Sequence, residues 1–223
     1  MAVTDAAIDK IKGMIVSGEL APGARLPKEA DLAERLGLSR NSLREAVRAL
    51  SLINVLDVRQ GDGTYVTSLE PRLLLDALSF VVDFHRDDTV LEFFQVRRIL
   101  EPAATAMAAT SMTPEDVEDL KGILDALPAN PTIEELVAND LEFHQRIAVG
   151  SGNTVLASLI ESLSAPTARA RIWRGLTQEG ATLKTQEQHL AIYDAIATHQ
   201  PEIARSWATV HISGVEEWLR RAL

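Results

Sequence analysis

The chain has 223 residues, is 46% hydrophobic and 24% charged, contains no cysteine and carries a formal charge of −10. Its apolar runs are too short to span a membrane, disulfides and thiolate metal sites are excluded, and a cytoplasmic protein with an ordinary buried core is expected. The acidic balance argues against nucleic acid only until the charges are located. Residues 1–68 hold nine Lys/Arg and nine Asp/Glu, which leaves 13 of the 22 basic and 23 of the 32 acidic residues to 69–223. A neutral part followed by a strongly acidic one implies two domains, 1–68 and 69–223.

The opening MAVTDAAIDKIK reads as an amphipathic helix rather than a secretory leader. Ala7, Ile8, Ile11, Met14 and Ile15 recur at helical spacing, and Gly18 followed by Pro22-Gly23 turns the chain. A short helix is predicted over 28–36, with Ala30, Leu32, Ala33 and Leu36 available to the core. Gly37 breaks it, and Ser39 suits the N-cap of a helix through Leu50, with Leu43, Ala46, Val47 and Leu50 as its apolar stripe. The β-forming segments 55–59 and 64–67 flank Gln60-Gly61-Asp62-Gly63, a hairpin signature. Three helices and a small hairpin describe a winged helix-turn-helix. Beyond Pro71 the strand signals vanish. Helical segments are predicted near 72–85, 89–110, 114–126, 132–149, 153–175, 182–199 and 202–221, with Pro114 and Pro201 in first turns. The fold class is therefore mainly α, the second domain being an all-α bundle of about seven helices.

Arg40, Arg44 and Arg48 lie four apart and share one face of the third helix, opposite Leu43 and Val47. Such a row is often no more than a solvated face, but it starts behind Ser39, Asn41 and Ser42, short donors at a helix N-terminus that favour phosphate. The order Gly18-Glu-Leu-Ala-Pro-Gly-Ala-Arg-Leu-Pro-Lys-Glu, Asp31-Leu-Ala-Glu-Arg-Leu-Gly-Leu-Ser-Arg, Leu43-Arg-Glu-Ala-Val-Arg-Ala-Leu and Gly61-Asp-Gly-Thr-Tyr-Val resembles the GntR family of bacterial transcription regulators. The resemblance implies DNA contacts by Arg25, Ser39, Arg40, Asn41, Ser42, Arg44, Gly61 and Gly63, with Arg48 continuing the row. Three positions depart from the pattern. Lys28 stands where Ser or Ala is usual and could take a phosphate contact; Ala30 replaces a frequent Arg; Asn54 replaces a Gly and tolerates the left-handed backbone.

In the acidic part Asp140 and His144 are spaced i, i+4, and His189 and His211 lie on two further predicted helices. A bundle core can gather one carboxylate and three imidazoles into a site suited to Zn²⁺, Ni²⁺, Mn²⁺ or Fe²⁺, with Zn²⁺ placed first. Spacing alone leaves each histidine open to being a lone polar residue. Residues 72–215 resemble the FCD ligand-binding domain of the FadR-like subgroup, through Val96-Arg-Arg-Ile-Leu-Glu-Pro-Ala-Ala, Asp140-Leu-Glu-Phe-His144, Gly152-Asn153 and the segments beginning at His189 and Val210. That resemblance implies metal ligation by Asp140, His144, His189 and His211. It also places Arg97 at an effector pocket, where the alternative is an ion pair with Glu101 at i+4; Asn153, Arg169 and Arg171 are lesser candidates.

The expected function is that of a non-enzymatic regulator, a repressor, bound as a homodimer to near-palindromic operator DNA and modulated by a small carboxylate effector at the metal. Two alternatives remain at this level. One is a metallohydrolase with Glu101 or Glu142 as general base; the other is a sensor in which the metal is itself the signal.

Overall fold

The computed structural model describes residues 3–70, 87–128 and 130–223. The chain divides into two compact units, Met1–Ala77 and Leu78–Leu223. The helix predicted over 72–85, with His85, lies outside the described residues.

The first unit contains α1 (Val3–Val16), α2 (Glu29–Leu36), α3 (Arg40–Leu52), β1 (Leu56–Arg59) and β2 (Gly63–Val66). Local chemistry sets its boundaries. The Gly37 backbone is left-handed (φ 62°) and its N–H closes α2 on the carbonyls of Ala33 and Glu34. Ser39 Oγ accepts the Ser42 N–H at 3.0 Å and caps α3. Asn54, where the family pattern has Gly, adopts φ 55° and turns the chain from α3 into the wing. The strands pair antiparallel, Leu56 with Val66 and Arg59 with Gly63. The extended chain at 23–26 lies along the other edge of β2, Leu26 N–H donating to the Thr64 carbonyl and Val66 N–H to that of Ala24. Ala7, Ile11, Met14, Leu32, Leu43, Ala46, Leu50, Leu56 and Val66 fill one core. Ala30, predicted for the inside, is exposed, because Leu32 and Ala33 are the α2 residues that turn toward that core.

The second unit is helical throughout its described residues: α4 (Asp87–Ser111), α5 (Pro114–Asp125), α6 (Ile133–Gly150), α7 (Thr154–Thr177), α8 (Ala181–Ala197) and α9 (Pro201–Ala222). Pro114 and Pro201 occupy first turns as predicted, and Thr113–Asp116 and Thr132–Glu135 form reciprocal capping boxes. The α4 helix packs along α9, and α6 along α7. Apolar residues form separate clusters toward the two ends of the bundle. One gathers Ala108, Leu120, Phe143, Ile147, Ile192, Ile196, Ala204 and Ala208; another gathers Phe94, Ala170, Ile212, Val215 and Leu219. Between these clusters α4 and α9 also bury polar residues, Arg97 and Glu101 on one and His211 on the other. Buried charge costs several kcal/mol unless paired, so this stretch is where partners must be found. Among the described residues no helix is long and apolar enough to cross a membrane.

Candidate metal centre and nucleic-acid interface

Asp140 and His144 project from one face of α6, His189 from α8 and His211 from α9. All four are buried, and one ligand atom from each lies within 4.8 Å of all the others. The Nε2 atoms of His189, His211 and His144 stand 3.2, 3.6 and 3.7 Å from Asp140 Oδ1, and those of His144 and His211 are 3.2 Å apart. Four ligands about 2.0–2.1 Å from a tetrahedral ion are separated by about 3.3 Å, so the spacing is that of a coordination shell.

The protons decide what this arrangement can do. His144 Nδ1 lies 2.9 Å from Glu101 Oε2 and His211 Nδ1 lies 3.1 Å from Gln188 Oε1, so each ring has an oxygen acceptor on its outward Nδ1 side. With the protons on those Nδ1 atoms, both Nε2 atoms are acceptors, and they face each other and a carboxylate oxygen. His189 Nε2 is likewise buried without a hydrogen-bond partner, its ring stacked on Phe143 at 4.4 Å. Converging lone pairs repel unless a cation lies among them. Outward hydrogen bonds of this kind are what orient metal-binding imidazoles, and the donor set fits a divalent transition ion.

The electrostatics keep the donors in their ligating forms. Burial lowers the His211 pKa to about 3 and also lowers that of His189, so both rings are neutral near pH 7. Burial would raise the Asp140 carboxyl, but Arg171, whose Nη1 donates to Oδ2 at 2.5 Å, and the neighbouring imidazoles outweigh it and hold the group well below the usual carboxylate range. Glu101 is depressed in the same way: burial opposes ionisation, and Arg97 and His144 prevail. A cavity of about 30 Å³ opens beside the cluster, lined by Asp140, His211, Arg171, Arg174 and Thr185, with Leu136, Val137 and Val215 as apolar wall.

In the first unit the candidate DNA-reading groups lie on α3 and the wing. Arg40, Arg44 and Arg48 are exposed along α3, with Arg44 Nε on Glu29 Oε2 at 2.9 Å and Arg48 on Glu45 at 3.1 Å. Ser39 is the cap, Asn41 is exposed and Lys28 is the residue before α2. At the wing tip Gly61 has φ 78°, and Arg25 reaches over to donate to the Asp62 carbonyl. Gly63 lies under that guanidinium: a Cβ there would stand 2.6 Å from Arg25 Nε. Arg59 stacks on Tyr65 at 4.2 Å, and the Tyr65 hydroxyl donates to Asp62.

Residues 3–66 match the gntR family of bacterial regulatory proteins and residues 92–214 match the FCD domain. The chain belongs to the GntR family. The regulator LutR of Bacillus subtilis is 31% identical over 212 residues, which cover 92% of this chain and 96% of LutR. The galactonate operon transcriptional repressor of Escherichia coli is 28% identical over 219 residues, 94% of this chain and 93% of the relative. A solved GntR structure from Streptococcus agalactiae superposes with a TM-score of 0.76 at 28% identity, covering 96% of this chain and 99% of that one. This GntR protein is thus a transcriptional regulator with a DNA-binding helix-turn-helix, and its domains are those of regulators rather than enzymes.

Several side chains of this GntR protein lie elsewhere than expected. Arg97 is buried but turned to Glu101 Oε1 (2.5 Å) and Thr167 Oγ1 (3.0 Å), the ion-pair alternative, and is not among the residues lining the cavity. Asn153 is the exposed N-cap of α7, accepting the Leu156 N–H. Arg171, a lesser candidate from sequence, sits on Asp140, whereas Arg174 beside it in the cavity carried no sequence signal beyond its spacing. Glu101 is held between Arg97 and His144 and Glu142 is exposed, so neither is placed as a general base.

Proposed function

We propose that this GntR-family protein is a cytoplasmic repressor that binds a near-palindromic operator as a homodimer through 1–68. Residues 69–223 supply the dimerisation surface and a divalent metal site, with Zn²⁺ placed first, formed by Asp140, His144, His189 and His211. The observation that carries the reading is the set of three buried, inward-facing Nε2 atoms 3.2–3.7 Å from Asp140 Oδ1. A bound ion would supply positive charge and open coordination positions at the cavity, and a small carboxylate or hydroxy acid is the ligand those positions suit. The relatives named for a galactonate operon and, in Escherichia coli, for an L-lactate dehydrogenase operon are consistent with an acid as the signal.

The protein's own residues do the rest. Glu101 and Gln188 hold two imidazoles in their ligating tautomers, Arg171 keeps Asp140 ionised, and the apolar wall of Leu136, Val137 and Val215 limits water. Acid binding changes operator affinity only to the extent that the DNA-bound and free states bind the acid differently. Ser39, Arg40, Asn41, Ser42, Arg44 and Arg48 read the major groove from α3, while Arg25, Lys28, Gly61 and Gly63 meet backbone or minor groove. Because 1–68 is neutral overall, sequence-independent affinity is small and specificity rests on direct contacts and two-fold symmetry. The test is operator binding by metal-loaded protein, followed by fluorescence anisotropy during titration with small carboxylates. Release by an acid is expected; operator affinity unmoved by any of them refutes the effector role.

A further inference from the structure

We infer that the acid taken by this site is a small dianion, with one acidic group at the Asp140–His144–His189–His211 cluster and the other on Arg174. The inference rests on the reading just given and specifies its ligand. Arg97, Arg171 and Arg174 are all buried around the cluster, and among the described residues Glu101 and Asp140 are the buried carboxylates there to balance them. Arg97 is paired with Glu101 and Arg171 with Asp140. Arg174 is 4% exposed and lines the cavity, and among the described residues it makes no ion pair; its Nε donates to the amide oxygen of Gln178 at 2.7 Å. The sixth buried Asp, Glu or Arg among this unit's described residues, Glu216 on α9, is already engaged by Arg98 and Arg220.

One guanidinium therefore stands without a carboxylate of its own in a largely buried pocket, where an unpaired charge is unfavourable. Its remaining N–H groups form a fork suited to a carboxylate or phosphate. Arg171 and Arg174 are spaced i, i+3 on α7, so they face the cavity together, and the Thr185 hydroxyl lines the same wall. A divalent ion would add two positive charges, more than a monocarboxylate could offset alongside Arg174.

The experiment is calorimetric titration of metal-loaded, full-length protein at pH 7 with matched acids: malate against 3-hydroxybutyrate, and phosphonoacetate, a dianion at this pH, against acetate. A dianion is expected to bind about tenfold or more tighter than its monoanionic partner, the scale of a charge-assisted hydrogen bond. The tighter of the two dianions shows whether the second group is a carboxylate or a phosphoryl group. Arg174→Met should abolish that preference, weakening dianions far more than monoanions, without lowering the melting temperature, since it removes an unpaired charge. Arg174→Lys should restore part of the preference. Equal affinity within both matched pairs, or equal weakening of mono- and dianions by Arg174→Met, overturns the inference while leaving a carboxylate effector in place. If neither class of acid binds the loaded wild type, the underlying reading fails with it.

Discussion

Glu101→Gln separates the two tasks of one buried carboxylate. Glu101 is 3% exposed; its Oε1 takes Arg97 Nε at 2.5 Å and its Oε2 faces His144 Nδ1 at 2.9 Å. Glutamine keeps the shape but offers one acceptor and one donor, so whichever way the amide turns, an N–H opposes either Arg97 or His144. The first loss is charge: leaving a buried guanidinium unpaired costs about 3–5 kcal/mol, which at about 2–4 °C per kcal/mol for a chain of this size is about 6–20 °C in Tm. The second loss is orientation, because His144 no longer has a fixed acceptor for its Nδ1 proton, and partners of this kind are worth about 10–100-fold in metal affinity. Scanning calorimetry of metal-free protein reads the first effect and a competition titration with a chelating dye reads the second. In Arg97→Met/Glu101→Gln the stranded charge is gone, so most of the stability should return while metal affinity stays low. A Glu101→Gln variant that melts with the wild type would refute the buried-pair argument.

Arg44→Ala should weaken operator binding about 5–150-fold, the range of a lost base contact of about 1–3 kcal/mol, while metal content is unchanged; anisotropy and elemental analysis check both, and undiminished affinity would remove Arg44 from the interface. Gly63→Ala should push the exposed Arg25 side chain off the wing tip, lowering operator affinity with Tm held to within about 0.5 kcal/mol of stability; a large drop in Tm would show that the clash is taken by the backbone instead. Metal-free protein should lose stability as pH falls below the ordinary histidine value of 6.5. His189, His211 and Asp140 all have folded pKa values below their unfolded ones, so the unfolded chain binds more protons in acid. Urea melts at pH 7, 6 and 5 read the slope, and a midpoint that rises toward pH 5 contradicts the sign.

The winged helix was legible because its signals are local: a Ser39 cap, a Gly37 stop, paired glycines at the hairpin tip and an asparagine able to take φ 55° at the turn. The ligand cluster was half legible. An i, i+4 spacing puts Asp140 and His144 on one face, but which face meets α8 and α9 is a tertiary fact, and the family resemblance was what singled out His189 and His211. Arg171 and Glu101 were named from sequence, but the roles of Glu101 and Gln188 beside the imidazoles were not legible. Glu101 bonded to His144 is a contact across two helices, and Gln188 next to His189 in sequence serves His211 instead. Arg97 satisfied two sequence arguments equally, and packing beside Thr167 turned it to Glu101. Arg174 is informative only once its neighbours' charges are counted in place.

The central claim, that three imidazoles and a carboxylate form a metal centre, is tested most directly by titrating Zn²⁺ into metal-stripped protein by calorimetry, with His144→Ala and His211→Ala alongside. The expected result is uptake of a single ion per wild-type chain, with affinity sharply reduced in both variants. Uptake of none, or uptake that both substitutions leave untouched, would contradict it.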